Sequence, residues 1–86
     1  IFEVKNEHGL HARPAAILVS EVKKYNANIA VQNLDRDTPL VSAKSLMKVV
    51  ALGVVKGHHL RFVATGEQAQ QAIEGIGTAI NAGLGE

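Results

Sequence analysis

The chain has 86 residues, nine Lys and Arg against eight Asp and Glu, a formal net charge of +1 and no cysteine. That length suits one domain with a modest core, and 47% hydrophobic against 20% charged residues excludes a disordered tail. The charge balance gives no bulk attraction to nucleic acid or an anionic membrane; without cysteine there are no disulfides or thiolate metal sites, and a reducing compartment is allowed.

No signal-peptide pattern, membrane-length apolar run, internal repeat or low-complexity linker is visible in these residues. IFEVK, residues 1–5, alternates Phe2 with Val4 and predicts a short strand. Residues 6–10 read as a polar loop containing Gly9. From 12 to 25, Ala15, Leu18, Val19 and Val22 fall at helical spacing, with Ser20, Glu21, Lys23 and Lys24 on the outer face. ANIAVQN, 27–33, alternates through Ile29 and Val31 and predicts a strand. LDRDTP has turn chemistry, and LVSA can be the returning strand. Ser45, the apolar LMKVVAL and Gly53 predict a helix of about two turns, although the β-branched Val49 and Val50 would also suit a strand. KGHH reads as a turn, and LRFVAT as a strand with Leu60, Phe62 and Ala64 inward. The last segment places Ala69, Ala72, Ile73, Ile76 and Ile80 on one helical face; Gly75 and Gly77 soften it and Gly83 ends it. The order is β-α-β-β-α-β-α. One antiparallel sheet with helices on a single face satisfies these patterns, an α+β fold.

The stretch HGLHARPAA, 8–16, is unusual for a helix start. Pro14 belongs in the first turn, where its missing N–H matters least. That places His11 at the N-cap, a position that normally holds Ser, Thr, Asp or Asn. The first amides of a helix lack carbonyl partners and favour an anion. Arg13 adds a planar donor fork suited to phosphate oxygens. A neutral imidazole is a competent nucleophile near neutral pH. Together they can accept a phosphoryl group on His11, with the backbone amides of Ala12 and Arg13 and the Arg13 side chain binding it. The bland reading is an ordinary surface helix terminus.

GLHARPAA followed by SAKSLMKVVALG resembles the HPr phosphocarrier family of the bacterial phosphoenolpyruvate-dependent sugar phosphotransferase system, over nearly the whole chain. The resemblance implies an HPr-like open-faced β-sandwich, with a four-stranded antiparallel sheet and three helices on one face, as one domain over 1–86. It implies transient phosphorylation of His11 at Nδ1, with Arg13 stabilising the phosphate. Enzyme I, charged by phosphoenolpyruvate, is the implied donor and a sugar-specific enzyme IIA the implied acceptor; the domain is expected to be monomeric and cytoplasmic, with no cofactor, metal, nucleic acid or membrane insertion.

Ala12, Ala16, Leu46, Met47, Val50 and Ala51 match the partner surface beside the histidine, while Val49 and Leu52 read as core. LMKVVALG is more apolar than a short helix on a thin domain can bury, which fits a docking surface, and Met47 could adapt to two partners. Ser45 matches a position phosphorylated by a regulatory kinase in some members, but reads here as an N-cap, and Lys48 stands where kinase-regulated relatives tend to have glycine. The loop around NLDRDTPL is longer than in compact free-standing carriers. The chain starts at Ile1, not Met. That suggests the HPr-like part of a multidomain chain, such as the fructose-specific diphosphoryl transfer protein; a nitrogen-pathway paralogue or a dihydroxyacetone phosphotransfer protein is the alternative.

Other readings are weaker. His8 with His11, and His58 with His59, suggest a metal site only faintly without cysteine or a His-Glu-x-x-His helix; the latter pair reads as turn residues. No Gly-x-Ser-x-Gly elbow or Walker loop supports a hydrolase. The serious rival is a non-catalytic adaptor domain that uses the same helix end to dock an anion or a partner.

Overall fold

The elements follow the expected order: β1 Phe2–Glu3, α1 Ala12–Val22, β2 Asn28–Asn33, β3 Val41–Ser42, α2 Leu46–Ala51, β4 His59–Thr65 and α3 Ala69–Asn81. This computed structural model describes residues 1–85; residue 86 of the expected 1–86 unit lies outside the described residues. The strands form one antiparallel sheet in the order β1-β4-β2-β3. Its centre is the pairing of β2 with β4, from Asn28 opposite Thr65 to Asn33 opposite Leu60. Alternation sorts the faces. Ile29, Val31, Leu60 and Phe62 are buried towards the helices, while Gln32 and Arg61 lie on the other face and hydrogen-bond each other (2.9 Å).

The helices cover the apolar face as their periodicity requires. Ala15, Leu18, Val19 and Val22 of α1 are buried, as are Ala72, Ile76 and Ile80 of α3, whereas Ala69 and Ile73 are only half-buried. In α2 the β-branched residues do not tip the balance towards a strand. Their helix penalty is about 0.5 kcal/mol each, whereas burying Val49 and Leu52 contributes about 1.5–3 kcal/mol apiece. Val49 is fully buried, Leu52 nearly so.

Several boundaries are tighter than the sequence suggests. β1 spans two residues rather than five because Val4 turns to meet a loop: its N–H donates to His58 O (2.9 Å) and its carbonyl accepts from Gly57 N–H (2.8 Å). α1 stops at Val22 rather than continuing to residue 25. The Lys24 amide donates to Glu21 O (3.1 Å), tightening the end, and the Asn26 amide donates to Gln68 Oε1 (2.7 Å). The LDRDTP loop contains a 3₁₀ turn, Leu34–Arg36, closed by Asp37 in the left-handed region (φ +52°). Gly75 and Gly77 are close-approach positions rather than defects. A Cβ on Gly75 would collide with the Tyr25 hydroxyl, and one on Gly77 would lie 2.8 Å from the Phe2 ring. α3 ends as expected at Gly83 (φ +89°), with Leu84 N–H donating to Ala79 O (3.2 Å) and Gly83 N–H to Ile80 O (3.1 Å).

A polar network not legible in the sequence ties the long loop to the start of β4. Asn33 is fully buried; its Nδ2 donates to Leu52 O and to His58 Nδ1 (3.1 Å each), and its Oδ1 accepts from Asp35 N–H (3.1 Å). The Val55 amide also donates to His58 Nδ1 (3.2 Å). An amide can only donate, so Nδ1 is the acceptor and the neutral ring carries its proton on Nε2. Asp35 accepts from the His59 amide (2.6 Å) and pairs with the His59 ring (3.0 Å). The His59 amide first, and its ring second, hold the Asp35 carboxyl below its ordinary range.

Two outcomes follow from this network. Replacing Asn33→Leu leaves Leu52 O and the Asp35 amide without their partner and is expected to cost about 2–4 kcal/mol in urea unfolding; an unchanged midpoint would show that the network is incidental. Because Asp35 has a lowered folded-state pKa, its contribution is present above the ordinary carboxylate range and is lost as pH falls through the folded value. The native chain should therefore melt above Asp35→Asn at pH 7, and the gap should close on acidification below about pH 4. An equal gap at both pH values would contradict the charge-based origin.

Candidate functional site

The expected site lies at the start of α1, and its chemistry follows from how that helix begins. His11 is the N-cap, with extended backbone (φ −78°, ψ −174°), and its side chain makes no capping hydrogen bond. The first turn holds no acidic residue. The first intrahelical bond runs from Ala15 N–H to His11 O (3.0 Å), so the amides of Ala12 and Arg13 precede the helical ladder. Pro14 has no amide and packs into the core. His11, Ala12, Arg13 and Ala16 are all exposed. An exposed histidine, an exposed arginine and two amides ahead of the helical ladder thus fall within three consecutive residues, with no carboxylate in the first turn.

The residues just before the helix fix its position. Leu10 is buried and donates its N–H to Val54 O (3.0 Å). Gly9 adopts φ +69°, closes a turn onto Asn6 O (3.1 Å), and lies so close to Val54 O and Val55 Cα that no Cβ fits. Asn6 is buried, and its Nδ2 donates to Gly83 O (2.6 Å) just beyond α3. His8, on the same turn, stands beside His11, with ring centroids 6.1 Å apart and planes inclined at 63°.

The second expected surface is α2. Ser45 caps it, its hydroxyl accepting from Lys48 N–H (3.3 Å), as its sequence position suggests. Val49 and Leu52 face the core, and Leu46, Met47, Val50 and Ala51 are exposed, Met47 to 82%. Val54, two residues past the α2 cap at Leu52, is the residue bonded to Leu10, so this helix runs towards the His11 end of α1.

His11 and Arg13 stand exposed at the surface. Among the described residues, a concavity on the sheet beside Ile29 and Val63 and another between Phe2 and Gly77 do not include His11 or Arg13. Among the described residues no three His, Cys, Asp or Glu side chains converge as a metal site would need. His58 and His59 serve the Asn33–Asp35 network instead, and His59 opens β4 rather than lying in the turn. No helix among the described residues is long and apolar enough to cross a membrane. The sequence reading missed Asn6 and Val54; nothing in their residue types signals that they hold the site in place.

An exposed imidazole at a helix start without a side-chain cap, together with exposed apolar residues on α2, suits a protein partner better than a small substrate. Comparison with known proteins bears on this directly. The family described as PTS HPr component phosphorylation site matches residues 1–82. The chain belongs to the HPr family. It is 77% identical over its full length to a multiphosphoryl transfer protein of Haemophilus influenzae, of which it spans 17%. It is 44% identical over 72 residues to the phosphocarrier protein HPr of Vibrio cholerae, covering 84% of this chain and 81% of that protein. An HPr crystal structure from Thermoanaerobacter tengcongensis superimposes with a TM-score of 0.89 at 38% identity, over 99% of this chain and 92% of that one. The HPr-like α+β fold expected from the sequence is the fold observed.

The geometry makes Gly9 a sensitive position. Gly9→Ala combines left-handed strain with a backbone collision, and thermal unfolding should show a loss of about 2–4 kcal/mol. A variant as stable as the native chain would mean that the turn before His11 is not fixed by Val54.

Proposed function

We propose that the chain is a phosphocarrier: His11 accepts a phosphoryl group from phosphorylated enzyme I and passes it to a sugar-specific enzyme IIA. The observation that carries this reading is His11 itself, exposed as the N-cap of a helix whose first turn holds the exposed Arg13 and no acidic residue. In the transfer, the His11 Nδ1 lone pair attacks phosphorus in line. The bond from phosphorus to enzyme I breaks, and its electron pair goes to enzyme I. Positioning and charge stabilisation do most of the work in such a step. The amides of Ala12 and Arg13 and the Arg13 guanidinium meet the incoming oxygens. The same contacts must not hold the product too tightly, because an interaction equally strong in intermediate and transition state accelerates nothing. One arginine and two amides at an exposed site are a moderate set.

Partner binding falls to Ala12, Ala16, Leu46, Met47, Val50 and Ala51, an apolar surface adjoining the nucleophile. Residues 1–86 act as a monomeric domain of the cytoplasm. Similarity to multiphosphoryl transfer proteins, with the sequence resemblance to a fructose-specific diphosphoryl transfer protein, supports a place in fructose uptake as one part of a longer chain. Ser45 acts as a helix cap, and its capping bond leaves regulation by phosphorylation the weaker reading.

Labelled phosphoryl transfer from phosphoenolpyruvate through enzyme I tests the scheme. His11→Ala should take up nothing. Arg13→Ala should still be phosphorylated, but about 10–100-fold more slowly, the range for losing a hydrogen bond to a charged group. Normal labelling of His11→Ala would sink the scheme and leave the adaptor reading. Met47→Asp should melt with the native chain yet bind enzyme I about tenfold more weakly; unfolding instead would make Met47 a core residue.

A further inference from the structure

His8 is the histidine that neither the fold nor the transfer step has yet used. Its position is nevertheless built. The turn that carries it is closed by the Gly9 amide on Asn6 O (3.1 Å), seated against Val54 and Val55 where no Cβ fits, and locked by the bond from Leu10 N–H to Val54 O (3.0 Å). Its neighbour Glu7 pairs with Lys56 across the surface (3.2 Å). The ring is exposed and stands 6.1 Å from the His11 ring, centroid to centroid, steeply inclined to it.

A phosphoryl group on His11 presents three acceptor oxygens and roughly −1.5 to −2 of charge. The helix end answers with only two amides, because Pro14 has none. The Arg13 side chain is exposed and long, so holding it in one geometry costs conformational entropy. His8 stands on a fixed turn, and an imidazole carries at least one N–H donor whether it is neutral or protonated. A ring already beside the acceptor loses little freedom in forming that contact.

We propose that His8 donates a ring N–H to an oxygen of the phosphoryl group on His11, completing the set begun by the Ala12 and Arg13 amides. This rests on His11 being the acceptor. His8 then stabilises the phosphorylated state relative to the free one. It pulls the exchange with enzyme I towards this chain and slows loss of the group to water.

Two substitutions separate the donor from the ring. His8→Phe keeps a flat ring but has no N–H; His8→Gln loses the ring but keeps a donor. The measurements are the equilibrium of phosphoryl exchange with enzyme I and the hydrolysis half-life of the phosphorylated chain, with thermal melting as the check on folding. His8→Phe should move the equilibrium away from the chain by about three- to tenfold and shorten the half-life, while His8→Gln stays within about twofold of native. On the native chain, the His8 ring nitrogens should shift in ¹⁵N spectra when His11 is phosphorylated, a readout that does not depend on any variant folding. Equal exchange and half-life for native and His8→Phe, or His8 ring resonances that do not move, would overturn the inference while leaving the carrier reading intact. Absence of a phosphoryl group on His11 of the native chain would remove the carrier reading, and the inference with it.

Discussion

The hydrogen bond from Leu10 N–H to Val54 O (3.0 Å) joins the two halves of the site. Leu10 immediately precedes the His11 N-cap, and Val54 follows α2, whose exposed face is the candidate docking surface. The bond forms because Gly9 takes a left-handed conformation and lets the two backbones touch. Around it, Asn6 reaches the end of α3 through Gly83, and the Asn33–His58 pair fixes the turn after Val54. His11 is thus positioned by backbone and buried polar groups. That suits the proposed carrier role, in which the group must be accessible to one partner and then another.

A helix start without a side-chain cap is a local weakness, since a capping Ser, Thr, Asn or Asp is worth about 1 kcal/mol. At α1 the burial of Pro14, Ala15, Leu18, Val19 and Val22 outweighs it several-fold, at about 1.5–3 kcal/mol for each larger side chain. The amides of Ala12 and Arg13 therefore stay available without endangering the helix. α2 is the internal contrast. It has only six residues and mostly exposed side chains, and it carries a conventional serine cap.

The parts of the fold set by periodicity were legible in the sequence. The apolar faces of α1 and α3 and the alternation of β2 and β4 follow directly from residue spacing, and so did the chain order. His11, Arg13 and Pro14 were legible because their local chemistry at a helix start is unusual. What remained hidden depends on distant contacts. Nothing local shows that Gly75 and Gly77 admit Tyr25 and Phe2, that α1 yields at Val22 to a loop held by Gln68, or that Asn33 is fully buried. His58 and His59 looked like idle turn residues or faint metal ligands, and their partners Asn33 and Asp35 lie more than twenty residues away in sequence. His8 gained its interest only when the Gly9 turn brought it beside His11.

The central claim is that a phosphoryl group on His11 completes the open start of α1. The most direct measurement is the ¹H–¹⁵N amide spectrum before and after phosphorylation by enzyme I and phosphoenolpyruvate. The expected result is a phosphoryl group bonded to the His11 ring, together with large downfield shifts of the Ala12 and Arg13 amide protons and little change in the β2–β4 ladder. Phosphorylation of His11 that leaves those two amides unmoved, or a phosphoryl group on any other residue, would contradict it.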